Sequence, residues 1–171
     1  MPVTLHAGEA AGPGSIADAL HKGGAVRLGH GVRIAEDVQG LDRAVAPAAT
    51  EAPQLGALAH WVRDQAVPLE VCPSSNVQTG AATGIATHPV TALRRLGFAV
   101  TVNTDNRLMS ATSLSREMHA LVHEAGWTLA DLRDVTLTAA RSSFLHHDER
   151  EALVQEVLLP AYTLSNGRHR A

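Results

Sequence analysis

The sequence predicts an α/β fold made of parallel βα units, of the kind that build a TIM-type (β/α)8 barrel. A strand-then-helix pattern recurs four times along its 171 residues. The connections between successive strands are too long for hairpins, which makes the strands parallel with helical crossovers. Each strand also ends in a cluster of polar groups, as expected where functional side chains line the C-terminal face of a barrel.

Val3-Thr4-Leu5 is the first predicted strand and runs directly into His6-Ala7-Gly8-Glu9. A strand that begins almost at the first residue leads us to expect an upstream part of the same fold. Ser15-Ile16-Ala17-Asp18 has capping-box spacing and predicts a short helix to about Lys22, ended by Gly23-Gly24. Val26-Arg27-Leu28 predicts a second strand delivering Gly29-His30-Gly31. The stretch from Glu36 to Pro53 is polar and weakly periodic, which predicts a loop with one turn of helix at most. Leu55, Leu58, Ala59, Val62 and Ala66 then recur at helical spacing and predict a helix over 54–66 with one buried face.

Pro68-Leu69-Glu70-Val71 is the third predicted strand, and Cys72-Pro73-Ser74-Ser75-Asn76 after it is expected to be a turn followed by a glycine-containing loop. A short helix is predicted from His88 to Leu96, broken by Gly97. Phe98 to Val102 is the fourth strand, ending in Asn103-Thr104-Asp105-Asn106. The stripe Leu114, Met118, Leu121, Val122 and Ala125 predicts a further helix. Thr128-Leu129-Ala130-Asp131 is a second capping box opening a helix to about Ala140, and a last helix is expected over about Asp148 to Leu158.

Composition narrows the range of functions. The chain is 45% hydrophobic, enough to bury a core, and its 14 basic and 17 acidic residues give a net charge of −3. No basic stripe suits nucleic acid and no polybasic patch suits a membrane surface, so a small-molecule partner is expected. No uninterrupted apolar run approaches the ~20 residues that span a bilayer. Cys72 is the single cysteine, no secretory leader pattern opens the chain, and a cytoplasmic location is expected.

Chemistry is concentrated at the strand ends: His6 with Glu9, His30, the Cys72–Asn76 run, and Asp105 with Asn106. Imidazole nitrogen and carboxylate oxygen are ordinary zinc ligands, and a zinc site that keeps a position for water lowers that water's pKa to about 7. Glu9, three residues past His6, can face the same pocket as an acid or base. An acid closing an otherwise apolar strand, as Asp105 does, carries a desolvation cost that a bound metal would offset. His21, His60, His88 and His169 are expected to be solvated or packing residues. His119 and His123 share a helix face but lack the zincin glutamate, and His146-His147-Asp148 lies between helices. Cys72 is expected to be a packed thiol rather than a nucleophile.

Taken in order, His6-Ala7-Gly8-Glu9, Gly29-His30-Gly31, Cys72-Pro73-Ser74-Ser75-Asn76 and Asn103-Thr104-Asp105 resemble the second-half motifs of the adenosine deaminases. The resemblance runs from residue 1 to about residue 160. It implies that 1–160 is the C-terminal half of the family's barrel, with four βα units and terminal helices; the short, polar end of the chain, 161–171, is expected to be a frayed tail. It further implies that His6 and Asp105 ligate zinc, that Glu9 protonates N1 of the purine, and that His30 orients the attacking water and helps to deprotonate it. The implied reaction converts adenosine to inosine with release of ammonia.

Where the family carries a second aspartate after Asp105, this chain has Asn106, at the position implied to contact purine N7. An amide donates to N7 without needing a proton, so purine recognition is expected to persist with an altered pH dependence. The family's His-x-His pair, implied to supply two further zinc ligands, occurs nowhere in this sequence. Weak zinc binding and poor turnover are therefore expected of the chain by itself, with the N-terminal half of the barrel or self-association completing it. The competing expectations are a non-catalytic orphan half-barrel or binding subunit and, among enzymes, an adenine deaminase.

Overall fold

The computed structural model describes residues 1–46 and 51–167. Four strands form one parallel sheet: β1 (Thr4–Ala7), β2 (Arg27–His30), and, after a small antiparallel pair β3 (Val38–Gln39) and β4 (Gln54–Leu55), β5 (Leu69–Val71) and β6 (Val100–Val102). The sheet order is β1-β2-β5-β6, with His6 opposite Gly29, Glu70 beside Gly29, and Val71 opposite Val102. Helices α1 (Pro13–His21), α2 (Ala57–Asp64), α3 (Pro73–Gln78) and α4 (Pro89–Arg95) lie in the crossovers. They are followed by α5 (Leu114–Ala125), α6 (Leu129–Arg141), α7 (His147–Ala152) and α8 (Leu159–Gly167). These are the expected parallel βα units, a run of consecutive units of a TIM-type barrel.

The period of two along each strand sorts its side chains between two very different surfaces. Leu28, Leu69, Val71, Val100 and Val102 point into the helical layer and are nearly or wholly buried with Ile16, Ile34, Val62, Val90, Leu93 and Leu121. Each such side chain taken from water is worth about 1.5–3 kcal/mol, which makes this layer the main source of stability. Trp127 closes the layer, donating its indole N–H to Thr91 Oγ1 at 2.9 Å.

The other face carries Thr4, His6, Arg27, Gly29, Glu70, Cys72 and Asn103. Arg27 donates to Thr4 Oγ1 at 3.1 Å and pairs with Glu70 at 3.3 Å. The sequence argument for self-association counted the barrel's inner face as surface needing cover. That face is largely polar and internally paired, so the need for cover rests on the outer edges of β1 and β6, which pair with no further strand among the described residues.

Several local expectations are corrected. Ser15 does not cap α1. The helix starts earlier, with Gly12 as N-cap and Pro13 in the first turn, where a missing N–H costs nothing. Ser15 Oγ instead accepts from Gly8 N at 3.0 Å and holds the loop after β1. The chain between β2 and α2 is more ordered than a loop with one turn of helix: it holds two 3-10 turns, Val32–Asp37 and Leu41–Ala44, and the β3–β4 pair; residues 47–50 lie outside the described set. Gln54 and Leu55 form β4, so α2 begins only at Ala57, its Ala59 N–H donating to Asp37 Oδ2 at 2.8 Å.

The run after β5 is helical rather than a turn and loop. Pro73 supplies the preset φ of a first helical residue, and α3 extends to Gln78. The Thr128–Asp131 capping box is present, with both reciprocal hydrogen bonds. The last helix does not stop near Leu158: it widens into a π segment over Leu153–Leu158 and continues as α8 through Gly167. Residues 168–171, which include His169, lie outside the described set.

Candidate active site

The site is built at the C-terminal ends of the four parallel strands, where His6, His30, Cys72 and Asp105 line one shallow depression of about 180 Å³ with Gly29, Glu70 and Asn103. Gly29 leaves room for its neighbour: a β-carbon on it would meet the His6 ring at 3.2 Å, and the ring would have to shift by a few tenths of an ångström. Pockets that bury a nucleoside-sized ligand run to about 300–1,000 Å³, so this face supplies one wall of such a site.

Two residues reach the depression through unusual backbone. His30 and Asp105 have φ of 64° and 53°, the left-handed region that non-glycine residues rarely occupy. Such conformations cost about 1–3 kcal/mol, persist only where surrounding contacts enforce them, and cluster at functional sites. For His30 the turn brings its ring back from the helix-facing side of β2 to within 5.4 Å of the His6 ring, centroid to centroid.

The enforcing contacts come from α3. Asn76 Nδ2 lies 3.0 Å from His30 Nδ1, and Ser75 Oγ donates to Asp105 Oδ2 at 2.7 Å. On its other side, His30 Nε2 lies 3.3 Å from Glu9 Oε2, and Thr79, just past α3, donates its hydroxyl to Glu9 Oε1 at 3.1 Å. The Glu9 loop is tied down by Arg33, whose backbone N–H donates to Gly8 O at 2.8 Å and whose Nε donates to Glu9 O. Burial holds the His30 imidazole below its ordinary pKa, against the opposing pull of Glu9 and Asp105.

Ligand atoms of His6, His30 and Asp105 all lie within 4.8 Å of one another. Imidazole nitrogen and carboxylate oxygen are ordinary ligands of a transition dication, so this cluster is a candidate donor set whose atoms would draw closer around an ion. The desolvation argument for Asp105 does not hold in this chain, because its side chain and that of His6 are exposed. What holds the Asp105 carboxylate is the Ser75 hydroxyl.

Asn106 sits beside this group, and its Oδ1 accepts from Leu108 N and Met109 N at 3.1 Å each. The oxygen is thus occupied with the loop, and the NH2 remains as the outward donor. Cys72 is buried with its Sγ directed at Glu70 O, 3.4 Å away, and burial pushes its thiol up to about 12. It is a packed thiol, as expected. His88 is a packing residue, buried as the N-cap of α4 with Nδ1 accepting from Val90 N at 3.1 Å. His119 and His123 lie on α5, and His146 and His147 open α7 rather than lying between helices; none of the four lines the depression.

Sequence reasoning quoted Ser75 and Asn76 but gave them no task, and it passed over Thr79 and Glu117. Glu117 had a signal. It falls within the apolar stripe of α5, three residues after Leu114 and four before Leu121, and a charge there announces a buried carboxylate with partners. Thr79 had none, because its contact with Glu9 spans 70 residues of sequence.

Comparison with known proteins agrees with this geometry. A profile of the adenosine deaminase family matches residues 1–159. The chain is 52% identical over 159 residues to adenosine deaminase 1 of Streptomyces coelicolor, covering 93% of this chain and 38% of that protein. It is 52% identical over 164 residues to the adenosine deaminase of Mycobacterium avium, covering 96% of this chain and 44% of that protein. The chain therefore spans about two fifths of the length of these curated relatives.

Among solved structures, an adenine deaminase from Arthrobacter aurescens superposes with a TM-score of 0.77 at 25% identity, covering 92% of this chain and 42% of that one. An amidohydrolase from Burkholderia ambifaria with bound Zn superposes at 0.76 and 18% identity, covering 96% and 41%, and shares the fold. No helix among the described residues is long and apolar enough to cross a membrane. With a family profile covering nearly the whole chain and relatives at half identity, this chain belongs to the adenosine deaminase family.

Proposed function

We propose that this chain carries the C-terminal half of the site of a zinc-dependent adenosine deaminase, which adds water at C6 of adenosine and releases ammonia to leave inosine. The observation that carries this reading is the convergence of His6, His30 and Asp105, with ligand atoms within 4.8 Å, beside a Glu9 carboxylate 3.3 Å from His30. His6 and Asp105 would hold the zinc from this chain. The ion, when bound, supplies Lewis-acid activation of water at neutral pH. The remaining ligands come from residues outside this chain, since it has no His-x-His pair.

Glu9, held by Thr79 and His30, donates a proton to purine N1, which draws electron density from C6 and opens it to addition. His30, fixed from behind by Asn76, orients the attacking water. Asn106 donates its free NH2 to N7. The product is released into the cytoplasm, where a protein whose one cysteine is an unpaired thiol is at home.

The test is a chimera in which residues 1–159 replace the matching segment of the Streptomyces coelicolor relative. Conversion of adenosine to inosine and release of ammonia are expected, with Glu9→Gln and His30→Ala each losing at least about a hundredfold. A folded chimera that turns over adenine but not adenosine would replace the proposed substrate. One that turns over neither would sink the reading and favour a binding role.

A further inference from the structure

We infer that Glu117, which touches none of the proposed reacting groups, is the positioning residue that sets the geometry of both His30 and Asp105. The inference rests on the reading of those two as site residues. Glu117 is fully buried on α5, with 0% exposure, and no salt bridge to it is found among the described residues. A buried carboxylate without a cation is costly, and an apolar side chain of the same volume would fill the space at less cost. What an apolar side chain could not do is hold two separate segments by hydrogen bonds.

Both carboxylate oxygens are committed in that way. Oε2 accepts from Ser74 N at 2.9 Å, at the start of α3, and Oε1 accepts from Thr112 Oγ1 at 2.6 Å, at the end of the segment that leaves β6 through Asp105. The residues directly after Ser74 grip the site: Ser75 holds Asp105 Oδ2 and Asn76 holds His30 Nδ1. A second tie between the same two segments runs from Ser110 Oγ to Gln78 Oε1 at 3.0 Å, but it is exposed and correspondingly weak. Glu117 is the buried tie.

The chain of contacts is therefore short. One carboxylate fixes where α3 begins, α3 fixes Ser75 and Asn76, and these hold the two residues that adopt left-handed backbone to enter the depression. The same carboxylate fixes the far end of the Asp105 segment through Thr112. Residues that orient metal ligands in this indirect way typically alter metal affinity by about 10–100-fold when replaced.

The experiment measures backbone hydrogen exchange and zinc dissociation constants for the wild-type chain, Glu117→Gln and Thr112→Val. Glu117→Gln keeps the volume but can no longer accept from both donors. Its exchange is expected to rise about tenfold or more in 72–79 and 103–113, with the sheet and α6 unchanged, and its zinc affinity to fall by about tenfold or more. Thr112→Val, which removes only the second tie, is expected to loosen 103–113 alone and to weaken zinc less. It decides the matter should Glu117→Gln not fold.

Unchanged exchange in these segments, or a rise spread over the whole domain, overturns the inference. So does localised loosening with unchanged zinc affinity, which would make Glu117 a structural cap. If the wild-type chain binds no zinc, the metal reading of the site fails, and the exchange pattern alone then decides whether Glu117 positions the two segments.

Discussion

Asn76 and His30 meet through Asn76 Nδ2 and His30 Nδ1 at 3.0 Å, in a buried contact between α3 and the end of β2. A donor at Nδ1 makes that nitrogen an acceptor, so the proton of the neutral ring resides on Nε2, where the Glu9 carboxylate is 3.3 Å away. The pair thereby sets which ring nitrogen faces the reaction.

The tautomer follows as a direct expectation. At pH 7 the ring-nitrogen chemical shifts of His30 should be those of a neutral Nε2–H imidazole. Asn76→Ala should admit the Nδ1–H form and lower deamination by the chimera about tenfold, the equivalent of one lost hydrogen bond of about 1.4 kcal/mol. A wild-type ring protonated at Nδ1 would contradict the arrangement.

His88 gives the fold a pH dependence separate from the site. Burial lowers its pKa from 6.5 to about 4. The unfolded chain takes up a proton near pH 6.5 and the folded chain only near 4, so the unfolded state binds more protons between those values. Stability from this group is fully present above about pH 6.5 and is lost as pH falls toward 4, by about 3 kcal/mol in all. Urea unfolding at pH 7, 5.5 and 4.5 should show that loss in wild type and much less of it in His88→Asn, which retains a helix-capping acceptor without a titrating ring. Parallel curves for the two proteins would be the contrary result.

Asn106 separates loop geometry from purine contact. Its oxygen is engaged by Leu108 N and Met109 N, and an aspartate would preserve both bonds while removing the NH2 donor. In the chimera, Asn106→Asp should leave stability within about 0.5 kcal/mol and make KM for adenosine rise with pH as the carboxyl loses the proton it needs to donate to N7. A pH profile unchanged from that of Asn106 would remove this residue from the N7 role.

The strands, the order of the βα units and the strand-end clusters were legible in the sequence because alternation and helical periodicity are local signals. The helix over 73–78 was not: Pro-Ser-Ser-Asn has turn composition, and only its docking on Glu117 and against His30 and Asp105 makes the helical conformation the satisfied one. The contact that Asp37 makes with the N-terminus of α2 was opaque for the same reason, since it joins residues 22 apart. His6 and His30 fall at the ends of β1 and β2, and Glu9 and Asp105 just beyond β1 and β6, which is why the sequence singles them out as candidates. Their holding partners act across 30 to 70 residues, a distance that no periodicity reports.

The central claim is that His6 and Asp105 are two ligands of one ion, and zinc affinity of the chain measured by competition with a chromophoric chelator tests it most directly. The expected result is one weak site per chain, with His6→Ala and Asp105→Ala each lowering affinity by about tenfold or more and the double variant binding more weakly than either. Zinc binding that survives undiminished in the double variant would contradict the account.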